Sequence, residues 1–299
     1  MSTNPFCTLA PDGIPILELK QGVVLYVEGP PGPITARRVY DCYLRRCGDR
    51  VRVYRSTAQA ATIERWDAAA RQRFEDVQLP ALRQRTDWGY VLSDDRKVDS
   101  WLFMFHGYRP HTEAGNASFY RFDFPWDIDL AFLHDLTAEL VTLTPCLSGF
   151  AGYYLQGRPA PDYTIQSYDS MFAIARRYWG LEAHNLDETV SAVLEGYKCV
   201  NWLTIIGDKL RRVNPEAVEA AKAAAFAYVD TGTTVVLQAE RAPRFGDRNR
   251  REILDGYVAV AGPLLPLQIR EHPPFGGTRW DEQNTIQYIR RFTHPQGVR

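Results

Sequence analysis

The chain has 299 residues, and its 36 acidic side chains nearly cancel its 35 basic ones, giving a formal net charge of −1. Non-specific nucleic-acid binding usually goes with a basic excess, so the charge balance argues against nucleic acid as a direct partner. Hydrophobic residues make up 45% and charged residues 24%, which is ordinary for a globular protein. This length fits two average domains or one large α+β domain.

The sequence carries no recognisable targeting or membrane segment. Its first seven residues have neither a basic region nor a long apolar core, and no apolar run reaches the roughly 18 residues that a membrane helix needs. The 5 cysteines are an odd number and include no C-x-x-C pair, which is typical of a reducing compartment. We therefore expect a cytoplasmic protein with no membrane partner.

Hydrophobic patterning predicts the elements of the first half. Val23–Val27 is an apolar run between glycine-containing turns and predicts a buried strand, and a helix follows over about Thr35–Cys47. Val51–Tyr54 predicts another strand. The next segment has apolar residues at every third or fourth position, which predicts a helix: Ile63, Trp66, Ala70, Phe74 and Val77.

The segment from residue 101 to 155 has the pattern β-β-α-β. Ser118–Phe124 alternates aromatic residues with Arg121 and Asp123, so one face of this strand is predicted to be wet. A helix with regularly spaced leucines then precedes the strand Leu147–Leu155. Glycines inside that strand, at 149 and 152, predict a bulge or a close approach of another backbone.

The second half has the pattern β-α-β-β-α, after a loop at 157–161 that predicts a boundary between two lobes. The predicted elements are helix Ser170–Tyr178, a strand near Val200–Ile206, a helix from Asn214-Pro215, strands Phe226–Val229 and Thr233–Ala239, and a helix Glu252–Val260 ended by Gly262-Pro263. Residues from Glu271 onward are predicted to form a peripheral tail with one short strand or helix around Ile286–Phe292.

These elements predict an α+β fold with mixed, largely antiparallel sheets packed against amphipathic helices. We expect a single domain over residues 1–299, in one compact unit with two similar-sized lobes at 14–156 and 162–270. Residues 271–299 would form the tail.

Motifs for chemistry are missing from the sequence. No G-x-S-x-G elbow, Walker loop or G-x-G-x-x-G motif follows a predicted strand, and the 6 histidines lack ligand spacing. We therefore predict no catalytic residues, no metal and no cofactor. A basic cluster remains that would pair with Asp247 and Glu252 or contact an acidic partner: Arg244, Arg248, Arg250 and Arg251.

Three segments resemble motifs of one known family. Gly196–Asp208 reads Gly-Tyr-Lys-Cys-Val-Asn-Trp-Leu-Thr-Ile-Ile-Gly-Asp, residues 147–153 read Leu-Ser-Gly-Phe-Ala-Gly-Tyr, and residues 237–249 run from Leu-Gln-Ala to Gly-Asp-Arg-Asn. In this order they resemble the TsiV/TsiT-like immunity proteins of bacterial type VI secretion systems. Glu240 stands where that family often has glycine. The resemblance covers roughly Ile14 to Ile269.

The resemblance implies a non-catalytic cytoplasmic antitoxin that binds and neutralises a nuclease effector of the VRR-Nuc or Tox-REase type. The motif residues lie on apolar strands and tight turns, so we interpret them as determinants of the fold. Because a nuclease presents a basic DNA groove, carboxylate patches are the predicted partner-binding residues. These are Asp94, Asp95 and Asp99; Asp127 and Asp129; and Glu182, Asp187 and Glu188.

Simpler roles compete with that prediction at some of these acids: Asp127 and Asp129 precede a helix that they would cap, and Asp94 and Asp95 lie in a polar loop. Two other functions also stay open. One is an enzyme or ligand-binding protein with an aromatic-lined pocket, and the other is a structural component of the secretion apparatus. A neighbouring gene for a nuclease effector would favour immunity over both.

Overall fold

The computed structural model describes residues 3–56, 63–81, 88–96, 98–108, 115–157 and 163–293. Its strands are β1 (Thr8–Leu9), β2 (Pro15–Val27), β3 (Val53–Ser56), β4 (Ile63–Arg65), β5 (Trp88–Ser93), β6 (Leu102–Gly107), β7 (Ser118–Pro125), β8 (Ser148–Gly157), β9 (Glu182–His184), β10 (Leu203–Ile206), β11 (Ala227–Asp230) and β12 (Val235–Gln238). Its helices are α1 (Pro33–Cys47), α2 (Ala68–Arg73), α3 (Leu130–Leu143), α4 (Thr164–Arg177), α5 (Leu186–Ala192), α6 (Asp208–Val213), α7 (Pro215–Ala224), α8 (Asp255–Leu264) and α9 (Glu282–Ile289).

One sheet of 12 strands runs through the described part of the chain, in the order β11-β12-β10-β8-β2-β7-β6-β5-β3-β4, with β1 beside β2 and β9 beside β8. Every pair is antiparallel except β8 and β9. The predicted α+β class with largely antiparallel pairing is confirmed. Strands from both predicted lobes share this sheet, and residues 158–161 of the predicted boundary lie outside the described residues.

The central strand β2 organises the sheet because it pairs along almost its whole length on both sides. Val24 lies opposite Arg121 of β7 and opposite Phe150 of β8. Alternate side chains of β2 enter different hydrophobic clusters: Val23, Leu25 and Val27 join one, and Val24 and Tyr26 join another. Both faces of this strand are therefore buried, as a strand in the middle of a two-sided core requires.

Helices α1, α3, α7 and α8 cover the larger cluster, which is rich in aromatic rings. The rings of Phe103 and Phe122 stack with their centroids 4.8 Å apart, and Tyr43 of α1 packs 5.0 Å from Phe103. Offset contacts of this kind add roughly 0.5–1.5 kcal/mol each beyond the burial of area. Many of the chain's aromatic side chains are thus used to join helices to the sheet.

The predicted wet face of β7 is wrong. Arg121 and Asp123 alternate with the aromatic residues as expected, but their side chains are only 12% and 1% exposed. They pair with each other, with Arg121 Nε donating to Asp123 Oδ1 over 2.8 Å. A buried ion pair removes the need for water on this face, and charge alternation alone does not distinguish the two situations.

Three element boundaries also differ from the predictions. The segment from Ile63 begins as the short strand β4, and α2 starts only after Asp67, whose carboxylate caps it by accepting from Ala70 N. Strand β10 begins at Leu203, later than the predicted Val200. Helix α8 continues through Gly262-Pro263 into a 3-10 turn at Leu265–Leu267.

The segment after Glu271 is part of the core, so the predicted peripheral tail is wrong for residues 271–293. Phe275, Trp280 and Tyr288 are at most 6% exposed and pack together, with the Phe275 and Trp280 rings 4.8 Å apart. The helix predicted near Ile286 is α9. The aromatic residues of the segment after Glu271 close a second hydrophobic cluster under α4 and the first residues of β2.

Candidate functional site

The stretch Gly196–Asp208 lies in the interior, held at both ends by other backbones. A Cβ at Gly196 would lie 2.5 Å from Leu267 O, and one at Gly207 would lie 1.7 Å from Cys146 O, so both positions require glycine. Between them, Trp202 is 2% exposed and its indole N–H donates to Glu240 O over 2.9 Å. This motif joins β10 to the loops around it, as expected for a fold determinant.

A cluster of buried polar side chains surrounds the first half of this motif. The carboxylate of Glu182, on β9, lies 2.6 Å from Lys198 Nζ and 3.4 Å from Arg291 Nη2. Glu182 Oε2 also accepts a hydrogen bond from the Cys199 thiol over 2.9 Å and another from the Asn201 amide over 3.5 Å. The buried amide of Asn201 thus has hydrogen-bond partners, as a polar group inside a protein requires.

Glu182 is therefore misplaced in the predicted partner-binding patch. It is 0% exposed, because two cations and a thiol inside the protein satisfy its carboxylate. Burial alone would raise the pKa of Glu182, but the charges of Lys198 and Arg291 outweigh it and hold the pKa below its usual value. The residue is an internal anion and not a surface contact.

The same geometry makes this cluster chemically inert. Burial and the neighbouring Glu182 charge raise the pKa of the Cys199 thiol to about 12, so the nucleophilic thiolate is scarce at neutral pH. Cys199, Lys198 and Asn201 are all at most 5% exposed. These groups are shielded from solvent, and the arrangement joins the motif, β9 and the segment after α9.

The loop between β5 and β6 contains three of the predicted acids, and two of them accept hydrogen bonds from backbone N–H groups there. Asp94 Oδ1 accepts from the backbone of Ser100 and Trp101 over 2.9 and 3.0 Å, and Asp95 Oδ1 accepts from Val98 N. Asp95 is exposed, whereas Asp94 and Asp99 are half-buried. Part of this predicted patch thus stabilises its own turn.

Asp127 and Asp129 lie between β7 and α3, and both are exposed. Asp129 caps α3 by accepting from Ala131 N over 3.0 Å. Because Ser93, Leu102 and Asp123 lie in register across β5, β6 and β7, this loop and the β5–β6 loop emerge at the same end of the sheet. The structure therefore brings these two predicted patches to one end.

Asp187 and Glu188 occupy the first turn of α5, where carboxylates are favoured by the helix dipole. Asp187 is exposed and Glu188 is half-buried, and the cap itself is Asn185, which accepts from Glu188 N. Tyr168 of α4 lies near both carboxylates. Burial raises the pKa of Tyr168, and the charges of Asp187 and Glu188 raise it further. This pair forms a separate acidic surface beside α4.

An open groove of about 630 Å³ lies where β2 ends, β8 begins and α6 starts. Its walls include Glu28, Pro30, Thr144, Asp208, Lys209 and Arg212, and no aromatic side chain lines it. A second crevice does have aromatic walls, from Phe172, Trp179 and Trp280, but its volume of about 20 Å³ is little more than one water probe occupies. Neither has the size and lining of the aromatic pocket that the enzyme alternative requires.

Within the described residues, no three His, Cys, Asp or Glu side chains are grouped so that they could hold a metal ion. The same part of the chain contains no helix that is both long and apolar enough to span a bilayer.

Comparison with known proteins gives a family and a fold. A family model described as type VI immunity for VRR-NUC, TsiV, matches residues 38–292. The "Pseudomonas aeruginosa T6SS protein PA0821" shares the fold, with a TM-score of 0.75 at 17% sequence identity over 95% of this chain and 85% of that chain. None of the curated proteins compared with the chain matches it. The family match includes the buried motif, its polar partners and the aromatic segment around α9, and the chain belongs to the TsiV family of type VI immunity proteins for VRR-NUC effectors.

Proposed function

We propose that this protein works in the cytoplasm as a non-catalytic inhibitor that binds a cognate VRR-NUC effector and thereby protects DNA. The observation that carries the proposal is the family match over residues 38–292, which spans every part of the described sheet except β1 and β2. Inhibition then depends on a protein–protein complex. The surface of the chain contacts the effector, and the buried interior holds that surface in its folded shape.

The buried polar cluster supports a non-catalytic mode. Its thiol, carboxylate and amine are the side chains from which a catalytic site is usually built, yet Glu182, Lys198 and Cys199 are buried, and Glu182 binds the other two. If inhibition is by binding, nuclease activity should fall in proportion to the protein added and reach zero near molar equivalence. Complete inactivation at far lower ratios would instead show that the protein modifies its target catalytically.

A growth assay tests the protective function. Cells that express the cognate effector domain in the cytoplasm should resume growth when this chain is co-expressed, and the two proteins should co-elute from a sizing column. A VRR-NUC effector from a different type VI cluster serves as the control for specificity. Continued growth arrest with the cognate effector, despite a folded and abundant chain, would contradict the proposal. A structural component of the secretion apparatus would give no rescue.

For the contact surface, we retain the exposed acids at the end of the sheet and on α5 as candidates for meeting a basic DNA groove. Charge reversal at Asp95, Asp127 and Asp187, one from each patch, should weaken effector binding measured by calorimetry in at least one variant. If all three variants bind as tightly as the wild type, the acidic surfaces are not part of the interface.

A further inference from the structure

Two distant segments of the chain are locked together beside α4. The backbone of 178–180 runs along 245–247, with Trp179 N donating to Gly246 O over 3.2 Å and Gly180 N donating to Phe245 O over 2.8 Å. A Cβ at Gly180 would lie 1.8 Å from Arg244 O, so only glycine permits this approach. The side chains that these segments present are therefore fixed relative to one another.

The residues that flank these two segments concentrate arginine on one surface, which we name the arginine patch: Arg176, Arg177, Arg244, Arg248, Arg250 and Arg251. Fewer carboxylates than arginines lie in this region. Asp247 and Glu252 lie within the same segments, and Glu240 pairs with Arg244 at 3.4 Å. Since the whole chain has a net charge of −1, this positive excess is local and is balanced by acids elsewhere.

Several of the patch arginines are held in place by neighbours. Arg177 binds Asp247 through two parallel bonds of 3.0 and 2.7 Å, and Asp247 itself is only 5% exposed. Arg248 stacks 4.5 Å above the Trp179 ring and donates to Arg176 O over 3.2 Å. Burial, followed by the charge of Arg176, lowers the pKa of Arg248, as expected where positive charges crowd together.

Arg250 and Arg251 form the outermost part of the patch. The Arg250 side chain is 77% exposed and its Nε lies 3.8 Å from Asp247 Oδ2, while Arg251 is exposed in a left-handed conformation with φ of 56°. Its backbone N–H donates to Arg248 O, which closes the turn. Both guanidinium groups are available to a partner on a turn whose conformation is fixed.

We propose that the arginine patch docks an acidic surface of the VRR-NUC effector, an inference that rests on the proposed function. Guanidinium groups bind carboxylates in pairs of parallel hydrogen bonds, and arginine and tryptophan are over-represented among residues that dominate interface energies. Because Asp247 and Trp179 already hold Arg177 and Arg248, and the backbone of the turn is closed, binding has to order only the outer side chains of Arg250 and Arg251. Nucleic acid is disfavoured as the occupant, because its binding relies on many cations along a chain with a basic excess.

The double variant R250E/R251E tests this docking surface. Its affinity for the VRR-NUC domain of the cognate effector, measured by calorimetry, should be at least tenfold weaker than that of the wild type. The matched control R38E/R65E changes the net charge equally at exposed positions on α1 and β4 and should bind like the wild type. R250K/R251K keeps the positive charges but loses the paired hydrogen bonds of guanidinium, so its affinity should lie between those of the wild type and R250E/R251E. Thermal unfolding of each variant confirms that it is folded.

The outcomes separate the two proposals. If the wild type forms no complex with the effector, the proposed function fails and the patch assignment fails with it. If the wild type binds but R250E/R251E binds equally well, or is weakened no more than R38E/R65E, the patch assignment alone is overturned. Binding of a short DNA duplex by the isolated wild type at physiological ionic strength, lost in R250E/R251E while effector affinity stays unchanged, would also overturn it.

Discussion

At the scale of single residues, the interior of this protein depends on Glu182. The carboxylate lies between Lys198 and Arg291, which come from segments far apart in the chain and are themselves at most 5% exposed. A buried pair of this kind is not necessarily more stable than an apolar alternative. Removing only the carboxylate is costly, however, because it leaves two desolvated cations without an anion.

Replacing Glu182 by Gln should therefore lower the free energy of unfolding by roughly 3–5 kcal/mol at neutral pH. The folded-state pKa of Glu182 is depressed, so its stabilising contribution is present above the unfolded pKa of about 4.3 and disappears as the pH falls through the folded value. Urea unfolding across this acid range should show a weaker pH dependence in Glu182→Gln than in the wild type. Glu195→Gln, at an exposed position, is the control, and equal stability of both variants would contradict this role.

His272 should confer a second pH dependence, in a higher range. Burial, aided by the charge of Lys198, lowers its pKa to about 4, and its Nδ1 faces Pro273 O while Nε2 lies 3.0 Å from Thr189 Oγ1. In the unfolded chain His272 binds a proton with a pKa near 6.5, whereas in the folded protein it does so only near pH 4. The free energy of unfolding therefore falls as the pH falls from 6.5 to 4.

Through this effect, the free energy of unfolding of the wild type should fall by about 2 kcal/mol between pH 7 and pH 5. The variant His272→Asn, which has no group titrating in that range at this position, should lose most of the dependence. The measurement is the urea midpoint at each pH. An unchanged slope in the variant would assign the effect to other residues.

At the scale of elements, glycines decide where the strands and helices meet. Gly207 closes the family motif against Cys146 O, and Gly149 of β8 lies against the backbone of β2, where a Cβ would be 2.3 Å from Val24 O. The prediction of a close backbone approach in β8 is confirmed. Gly262 is different, because a Cβ at this exposed helical position would meet no atom of another element within 4 Å, and its next neighbour in the chain is Pro263.

The variants Gly207→Ala and Gly262→Ala should consequently differ in stability. Gly207→Ala forces backbone atoms apart and should lower the free energy of unfolding by at least about 2 kcal/mol. Gly262→Ala should change it by less than about 1 kcal/mol, because the preference of alanine for a helix interior is opposed by the crowding of its Cβ against the following Pro263. Chemical denaturation of both proteins checks the pair, and equal destabilisation by the two substitutions would contradict this difference.

The sequence predicts elements well where local pattern and burial agree. The strands around Val23–Val27 and Leu147–Leu155 and the Asn214-Pro215 helix start all follow from apolar runs or from capping residues, and the structure contains them. The prediction was wrong for β7, where Arg121 and Asp123 pair inside the protein. Nothing in a single strand's alternation indicates whether its polar side chains meet water or each other.

The polar cluster was missed for a similar reason. Lys198 and Asn201 could be noticed as polar residues in an apolar motif, but Glu182 and Arg291 lie in segments whose local sequence gives no sign of burial. Their partnership depends on β9 lying beside β8 and on the segment after α9 returning to it. Only the tertiary fold brings these charges together, and the sequence alone therefore predicts Glu182 on the surface.

At the scale of the whole molecule, the segment from 271 to 293 completes the fold. It supplies aromatic side chains to the second hydrophobic cluster and the cation Arg291 to the polar one. A chain ending at Arg270 should therefore lack a cooperative thermal transition and should aggregate, as followed by circular dichroism and gel filtration. The full-length protein under the same conditions is the folded control. A truncated protein with the wild-type transition would show that the sheet is stable without this segment.

The position of Arg291 also has a consequence during synthesis. Arg291 follows Glu182 by 109 residues, so at roughly 5–20 residues per second a ribosome needs on the order of ten seconds to make the distance between them. For most of that interval, Glu182 and Lys198 have been synthesised while Arg291 and the aromatic residues that cover them have not. The nascent chain therefore passes through a stage in which its core is incomplete. The protein reaches its native structure only after nearly all of its residues have been translated.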